Sequence, residues 1–137
     1  MKKLMSGLLL ASMMLIVLGS FQIASAAPFK VMGSGADSYL ADSRGMTLYI
    51  YLKDAKGQAT CVGDCVKRWP IFYTENVMVP AGMDAKEFGV ITHPSGVKQN
   101  TFRGWPLYYF AQDKMAWDTT GEGRSNVWFV VRNPGSI

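Results

Sequence analysis

The stretch Gly45-Met46-Thr47-Leu48-Tyr49-Ile50-Tyr51-Leu52-Lys53-Asp54 decides the fold, because it returns as Gly104-Trp105-Pro106-Leu107-Tyr108-Tyr109-Phe110-Ala111-Gln112-Asp113. Each run is aromatic-rich, with a Gly before it and an Asp after it, which is the signature of a strand punctuated by turns. Side chains alternate faces along a strand, so Tyr49 and Tyr51 share one face while Leu48, Ile50 and Leu52 share the other. Both faces are apolar. The run therefore predicts a sheet covered on both sides.

Working outward, a shift of 59 positions lays residues 29–73 over 88–132 without a gap. Phe29 and Val31 meet Phe88 and Val90; Arg44-Gly45 meets Arg103-Gly104; Thr60 meets Thr119; Trp69 meets Trp128. Tyr51 meets Phe110 and Ile71 meets Val130 as conservative pairs. Two copies are too few for an extended solenoid, so the pattern predicts one closed domain with pseudo-twofold symmetry. Further strands are expected at Phe29–Met32, Trp69–Tyr73, Phe88–Thr92 and Val127–Arg132, with Tyr39–Ala41 and Lys98–Phe102 as hairpin partners. Residues 74–87 form a linker, in which Asp84-Ala85-Lys86-Glu87 resembles a capping box and predicts a single turn. No segment sustains a 3.6-residue period. The fold is expected to be mainly β: a small single domain of two pseudo-symmetric β-repeats with short helical turns, among them one after Thr60. The end at Asn133-Pro134-Gly135-Ser136 is expected to fray.

The N-terminus has Lys2 and Lys3, an apolar run from Leu8 to Val17, and Ala24-Ser25-Ala26 before Ala27-Pro28. That is the three-part pattern of a secretory signal peptide, predicted to be cut after Ala26. An uncleaved anchor is the rival, disfavoured by Ser12, Ser20 and Gln22. The formal charge is +4, of which Lys2 and Lys3 supply two, so residues 27–137 carry twelve cations against ten carboxylates. No basic run longer than Lys67-Arg68 remains, which excludes a surface that tracks nucleic-acid phosphates. The expected location is periplasmic or secreted, with no stable membrane anchor after cleavage.

Tyr49-x-Tyr51-x-x-Asp54 and Tyr108-x-Phe110-x-x-Asp113, with Cys61-Val62-Gly63-Asp64-Cys65 and Trp69-Pro70 following the first, resemble the bacterial secreted or lipoprotein repeat family defined by Tyr-x-(Phe/Trp/Tyr)-x-x-Asp. The resemblance spans essentially all of residues 27–137. It implies a compartment and a domain rather than a reaction, since that family is largely uncharacterised. The chain departs from the family in lacking a lipobox cysteine and in having Ile71 where a second Pro is common.

Cys61 and Cys65 are the only cysteines, and in an exported chain a disulfide is their first reading. Within a regular helix residues 61 and 65 would hold their Cβ atoms about 6 Å apart, so a bond requires a tight non-helical turn, for which Gly63 supplies positive φ. A redox-active pair would want the closer Cys-x-x-Cys spacing at a helix start. The only histidine, His93, sits between Thr92 and Pro94 and reads as a solvated loop residue. It is a weak metal candidate: with Met32, Met46, Met78, Met83 or Met115 it would make a His/Met axial pair for haem or copper. Core filling explains the methionines more simply.

Asp54 and Asp113 invite a paired-acid reading, against a structural one in which each caps the turn after its strand and serves a buried Tyr hydroxyl. Arg44 and Arg103 precede the repeated Gly and are read either as partners for an Asp of either copy or as surface-turn residues. Trp69, Trp105, Trp117 and Trp128 are candidates for a sugar or peptide cleft, or for core anchors. The structural reading makes Gly45, Tyr49, Tyr51, Asp54, Trp69, Gly104, Tyr108, Phe110, Asp113 and Trp128 a scaffold. The expectation is thus a non-enzymatic binding or structural module of the cell envelope, with an envelope partner or small ligand. No catalytic residue and no cofactor are assigned. The alternative is an extracytoplasmic haem- or metal-binding or electron-transfer protein using His93.

Overall fold

The computed structural model describes residues 28–135, so the signal read at residues 1–26 lies outside the described residues. Strands β1 (Phe29–Met32) and β2 (Tyr39–Asp42) form an antiparallel hairpin, with Phe29 opposite Asp42 and Met32 opposite Tyr39. Strand β3 (Tyr49–Tyr51) follows, then helix α1 (Asp64–Arg68). The second copy supplies β4 (Phe88–Thr92), β5 (Lys98–Phe102), β6 (Trp105–Pro106) and β7 (Trp128–Val130). β4, β5 and β6 make one antiparallel sheet. The described fold is mainly β, as the alternation predicted. Among the described residues no helix is long and apolar enough to cross a membrane.

The two copies exchange strands. β3 of the first copy pairs with β7 of the second, Tyr49 opposite Val130 and Tyr51 opposite Trp128. The mirror pairing runs along residues 68–72 and 107–111: Ile71 bridges Tyr108, the Tyr109 N–H donates to Pro70 O at 2.7 Å, and the Ala111 N–H to Arg68 O at 2.9 Å. Pro70 stands where β7 has Phe129 and has no N–H to return, so one rung is half made and Trp69–Tyr73 pairs without becoming a full strand. Between the two pairings Tyr49 and Tyr108 exchange both backbone bonds, at 2.8 and 3.0 Å, which places the pseudo-twofold axis between them.

Each side of the axis ends in a ring of three backbone hydrogen bonds. The Leu40 N–H donates to Val131 O, Val131 to Leu48 O, and Leu48 to Leu40 O, at 3.0, 3.3 and 3.0 Å. Asn100, Phe72 and Leu107 repeat the ring at 3.0, 3.1 and 3.0 Å. Each ring takes two residues from one copy and one from the other. Neither copy can therefore satisfy its own backbone, and burying unpaired groups is costly.

Alternation along the central strands makes two apolar clusters. Tyr49, Trp69, Tyr108, Phe110, Trp128 and Val130 lie in one; Phe29, Leu40, Leu48, Phe72, Leu107 and Val131 lie in the other. Leu52, expected beside Leu48 and Ile50, is instead 47% exposed. It lies past the end of β3, where the Asp54 N–H already turns back to Tyr51 O.

The shift of 59 is not gapless in three dimensions. Met32 faces Tyr39 in the first hairpin, whereas Ile91 faces Gln99 in the second, so the loop holding His93 is one residue longer. The next turn compensates: Ala41 faces Thr47, but Thr101 faces Pro106. In the linker, residues Ala85–Glu87 make one 3-10 turn whose start is capped by the Asp84 carboxylate accepting the Lys86 N–H. The C-terminal segment does not fray as far as it is described. Pro134 is fully buried and the Asn133 N–H donates to Ser38 O at 2.7 Å.

Candidate functional site

The repeated Asp closes its strand and is then used by the other copy. The Tyr49 hydroxyl donates to Asp113 Oδ2 at 2.6 Å, and the Tyr108 hydroxyl donates to Asp54 Oδ2 at 2.8 Å. The remaining oxygens bind locally. Asp54 Oδ1 accepts the Thr60 N–H and hydroxyl at 2.7 and 2.8 Å, and Asp113 Oδ1 accepts the same two groups of Thr120. Thr60 thus corresponds to Thr120 and not Thr119: a second one-residue slip opens after Asp113 and closes again before Trp128. Asp54 and Asp113 are buried, each with both oxygens engaged, an arrangement that holds strands together and offers no exposed acid or base. Burial raises the Tyr49 and Tyr108 hydroxyls well above the usual phenol range, and the paired carboxylates push the same way.

Between these pairs the aromatic residues of the motif form one stack. Trp69 lies on Trp128 with ring centres 3.8 Å apart and planes 3° from parallel. Tyr51 covers the outer face of Trp128 at 4.1 Å, and its counterpart Phe110 covers Trp69 at 4.3 Å. Tyr49 and Tyr108 meet Trp69 and Trp128 edge-on, at 5.4 and 5.2 Å. Both indoles are buried, so Trp69 and Trp128 are core anchors, with only their edges reaching an adjoining cleft. Gly121 faces this stack, where a Cβ would meet Trp69 and Tyr49 atoms at 2.9 Å.

Cys61 and Cys65 are bonded, with Cα atoms 5.3 Å apart. Cys65 lies in α1, and Cys61 lies outside it beyond Gly63, whose φ of 59° makes the turn. In the second copy Gly121, following Thr120, takes the place of Cys61, which itself follows Thr60.

His93 is not a solvated loop residue. It is buried, its Nδ1 accepts the Ser95 N–H at 3.0 Å, and its Nε2 lies 2.8 Å from Cys61 O. An Nδ1 that accepts is unprotonated, so Nε2 carries the proton and donates it to the carbonyl. Both ring nitrogens are thereby committed, and the ring ties the longer loop of the second copy to the disulfide of the first. The extra loop residue that allows this reach is invisible in an ungapped match. Of the methionines, Met32 is buried in the aromatic cluster, Met83 packs on the other cluster, and Met78 and Met115 are exposed. Among the described residues no three His, Cys, Asp or Glu side chains group as metal ligands.

What faces solvent differs between the copies. A cleft of about 250 Å³ opens beside the Trp pair, lined by Arg68, Gln112, Arg124 and Ser125, with Ser125 and Asn126 both at positive φ. Trp117 is 62% exposed, and its φ of 76° matches the 77° of Gly57, its counterpart one residue out of the 59 frame.

Fold and site together define a small β domain made of two strand-exchanging copies, whose repeated motif is its own internal frame. A family model described as a secreted repeat of unknown function matches residues 36–72 and 89–132, once per copy, and the chain belongs to that family. The family places the chain outside the cytoplasm. No curated protein and no solved structure matched the chain.

Proposed function

We propose that the protein is a non-enzymatic binding module of the cell envelope, exported by the signal at residues 1–26 and working in the periplasm or the medium. The observation that carries this reading is the saturation of the motif: Asp54, Asp113, Tyr49 and Tyr108 spend their polar atoms on each other and on Thr60 and Thr120. A carboxylate pair committed in this way does not serve proton transfer. The polar groups left to solvent beside the Trp pair, Arg68, Gln112 and Arg124, suit recognition rather than bond breaking.

Native mass spectrometry of protein isolated from its own compartment tests this. A non-covalent small molecule released on denaturation is the expected result. Asp54- or Asp113-dependent turnover of a hydrolase substrate would overturn the reading. A haemin Soret shift abolished by His93→Ala would move it to haem carriage.

A further inference from the structure

Ile50 and Tyr109 are counterparts in the two copies, and their difference opens a cleft. In one half the Tyr109 ring meets Phe72 edge-on at 5.5 Å, its hydroxyl donates to Asp42 Oδ2 at 2.7 Å, and the Arg44 guanidinium lies 5.9 Å from the ring centre. In the other half the corresponding positions are Ile50, Val131, Phe102 and Arg103, and together with Trp105 they line an open cleft of about 280 Å³. The space that a phenol ring fills on one side is empty on the other.

The cleft's chemistry says what would fill it. Its floor is apolar, from Ile50, Phe102 and Val131, and its rim carries Lys56, Arg103 and Arg132. Arg103 pairs with Glu87 at 2.7 Å and Arg132 with Glu122 at 2.9 Å. Lys56 pairs with no carboxylate among the described residues, which leaves the rim one positive charge in excess. The stem of Lys56 is held against Gly104, where a Cβ would meet its carbons at 3.1 to 3.4 Å, and the Gly57 N–H bonds Gly104 O at 2.7 Å. In the Tyr109 half a carboxylate, Asp42, accepts from the ring's polar end; here Phe102 replaces it, with the Arg103 guanidinium 4.8 Å from its ring centre. We infer that this cleft binds a planar aromatic ring bearing one negative charge, an aryl carboxylate being the simplest member of the class. The inference rests on the binding-module reading and names a ligand class for it.

The test is titration of ¹⁵N-labelled protein with benzoate, benzamide and cyclohexanecarboxylate. Benzoate should shift the Trp105 indole and Gly104 amide saturably, with benzamide and cyclohexanecarboxylate each roughly tenfold weaker or worse. Ile50→Phe, which fills the cleft as Tyr109 fills its counterpart, should abolish the shift, and Lys56→Gln should weaken it by about tenfold. Absence of saturable shifts with benzoate, or equal affinity in Ile50→Phe, overturns the assignment. So does benzamide binding as tightly as benzoate. A small molecule still retained in native mass spectrometry would then leave the binding-module reading standing, whereas loss of both results would remove it as well.

Discussion

The Tyr49 hydroxyl reaches Asp113, 64 positions away, at 2.6 Å and not the Asp54 of its own motif. Its mirror, Tyr108 to Asp54, makes the motif a reciprocal clasp between copies. A buried hydrogen bond to a charged acceptor contributes about 1.5–3 kcal/mol, so Tyr49→Phe and Tyr108→Phe should each lower unfolding stability by about that amount. A double-mutant cycle separates crossed from local pairing. Tyr49→Phe with Asp113→Asn should show coupling of about 1 kcal/mol or more, while Tyr49→Phe with Asp54→Asn should be additive within about 0.5 kcal/mol. The opposite pattern would disprove the clasp.

Alkaline pH should loosen the fold through the same hydroxyls. Burial first, then the neighbouring carboxylates, raises Tyr49, Tyr108 and Tyr109 above their unfolded value of 10.0. A raised folded value means the stabilisation is complete below about pH 10 and falls as pH rises beyond it, because the unfolded chain releases protons that the fold retains. The slope is about 1.4 kcal/mol per pH unit per tyrosine. Urea midpoints should therefore be flat up to about pH 10 and decline above it, with a shallower decline in Tyr49→Phe. A flat profile through that range would contradict the burial of these hydroxyls.

Most of the frame was legible because the two copies annotate each other: Gly, Tyr, Asp and Trp coincide only where both need the same strand, turn and ring. What an ungapped match conceals is two pairs of compensating one-residue changes, one between residues 92 and 106 and one between residues 113 and 128. The loop at His93 gains a residue and the turn at Arg103-Gly104 loses one, so His93 looks like an ordinary loop residue until the longer loop is seen to reach Cys61. Equivalence also says nothing of exchange. Tyr49 and Tyr108 match whether each binds its own Asp or its counterpart's, and only the pairing of β3 with β7 across the axis shows which. The opposition of Ile50 to Tyr109, an aliphatic residue against an aromatic one inside a closely matched run, was the visible signal of the cleft.

Strand exchange makes the repeat a unit of sequence but not of folding. Leu40 and Leu48 need Val131, and Asn100 and Leu107 need Phe72, to close their hydrogen-bonded rings. Fragments 27–80 and 81–137 should each be unfolded alone by circular dichroism and hydrogen exchange, and should regain the native spectrum on mixing. A protected, cooperatively melting single fragment would refute the interleaved architecture.

Reduction of the disulfide should be tolerated. Cys61 and Cys65 are separated by only four positions, and so short a loop restricts the unfolded chain by about 2 kcal/mol. The second half of the domain already lacks a bridge, with Gly121 in the place of Cys61. Reduced protein should keep its native spectrum at room temperature and melt roughly 8 °C lower, as followed by near-ultraviolet dichroism. Complete unfolding on reduction would show that the bond does more than staple its own turn.

Trp117 offers the sharpest contrast between stability and surface. Its loop is held from several sides: the Asp118 carboxylate accepts the Lys114 and Met115 N–H groups at 2.7 and 3.0 Å, and the Thr47 hydroxyl donates to Asp118 O at 2.6 Å. The indole itself is mostly in water, yet its backbone takes a left-handed conformation that the first copy assigns to a glycine. For a residue with a Cβ that conformation costs about 1–2 kcal/mol, partly offset by the larger entropy glycine loses on folding. Trp117→Gly should therefore leave the fold intact and raise stability by up to about 1 kcal/mol, measured as the urea midpoint. A loss of more than about 1 kcal/mol would mean that the indole packs against the domain more than its exposure indicates.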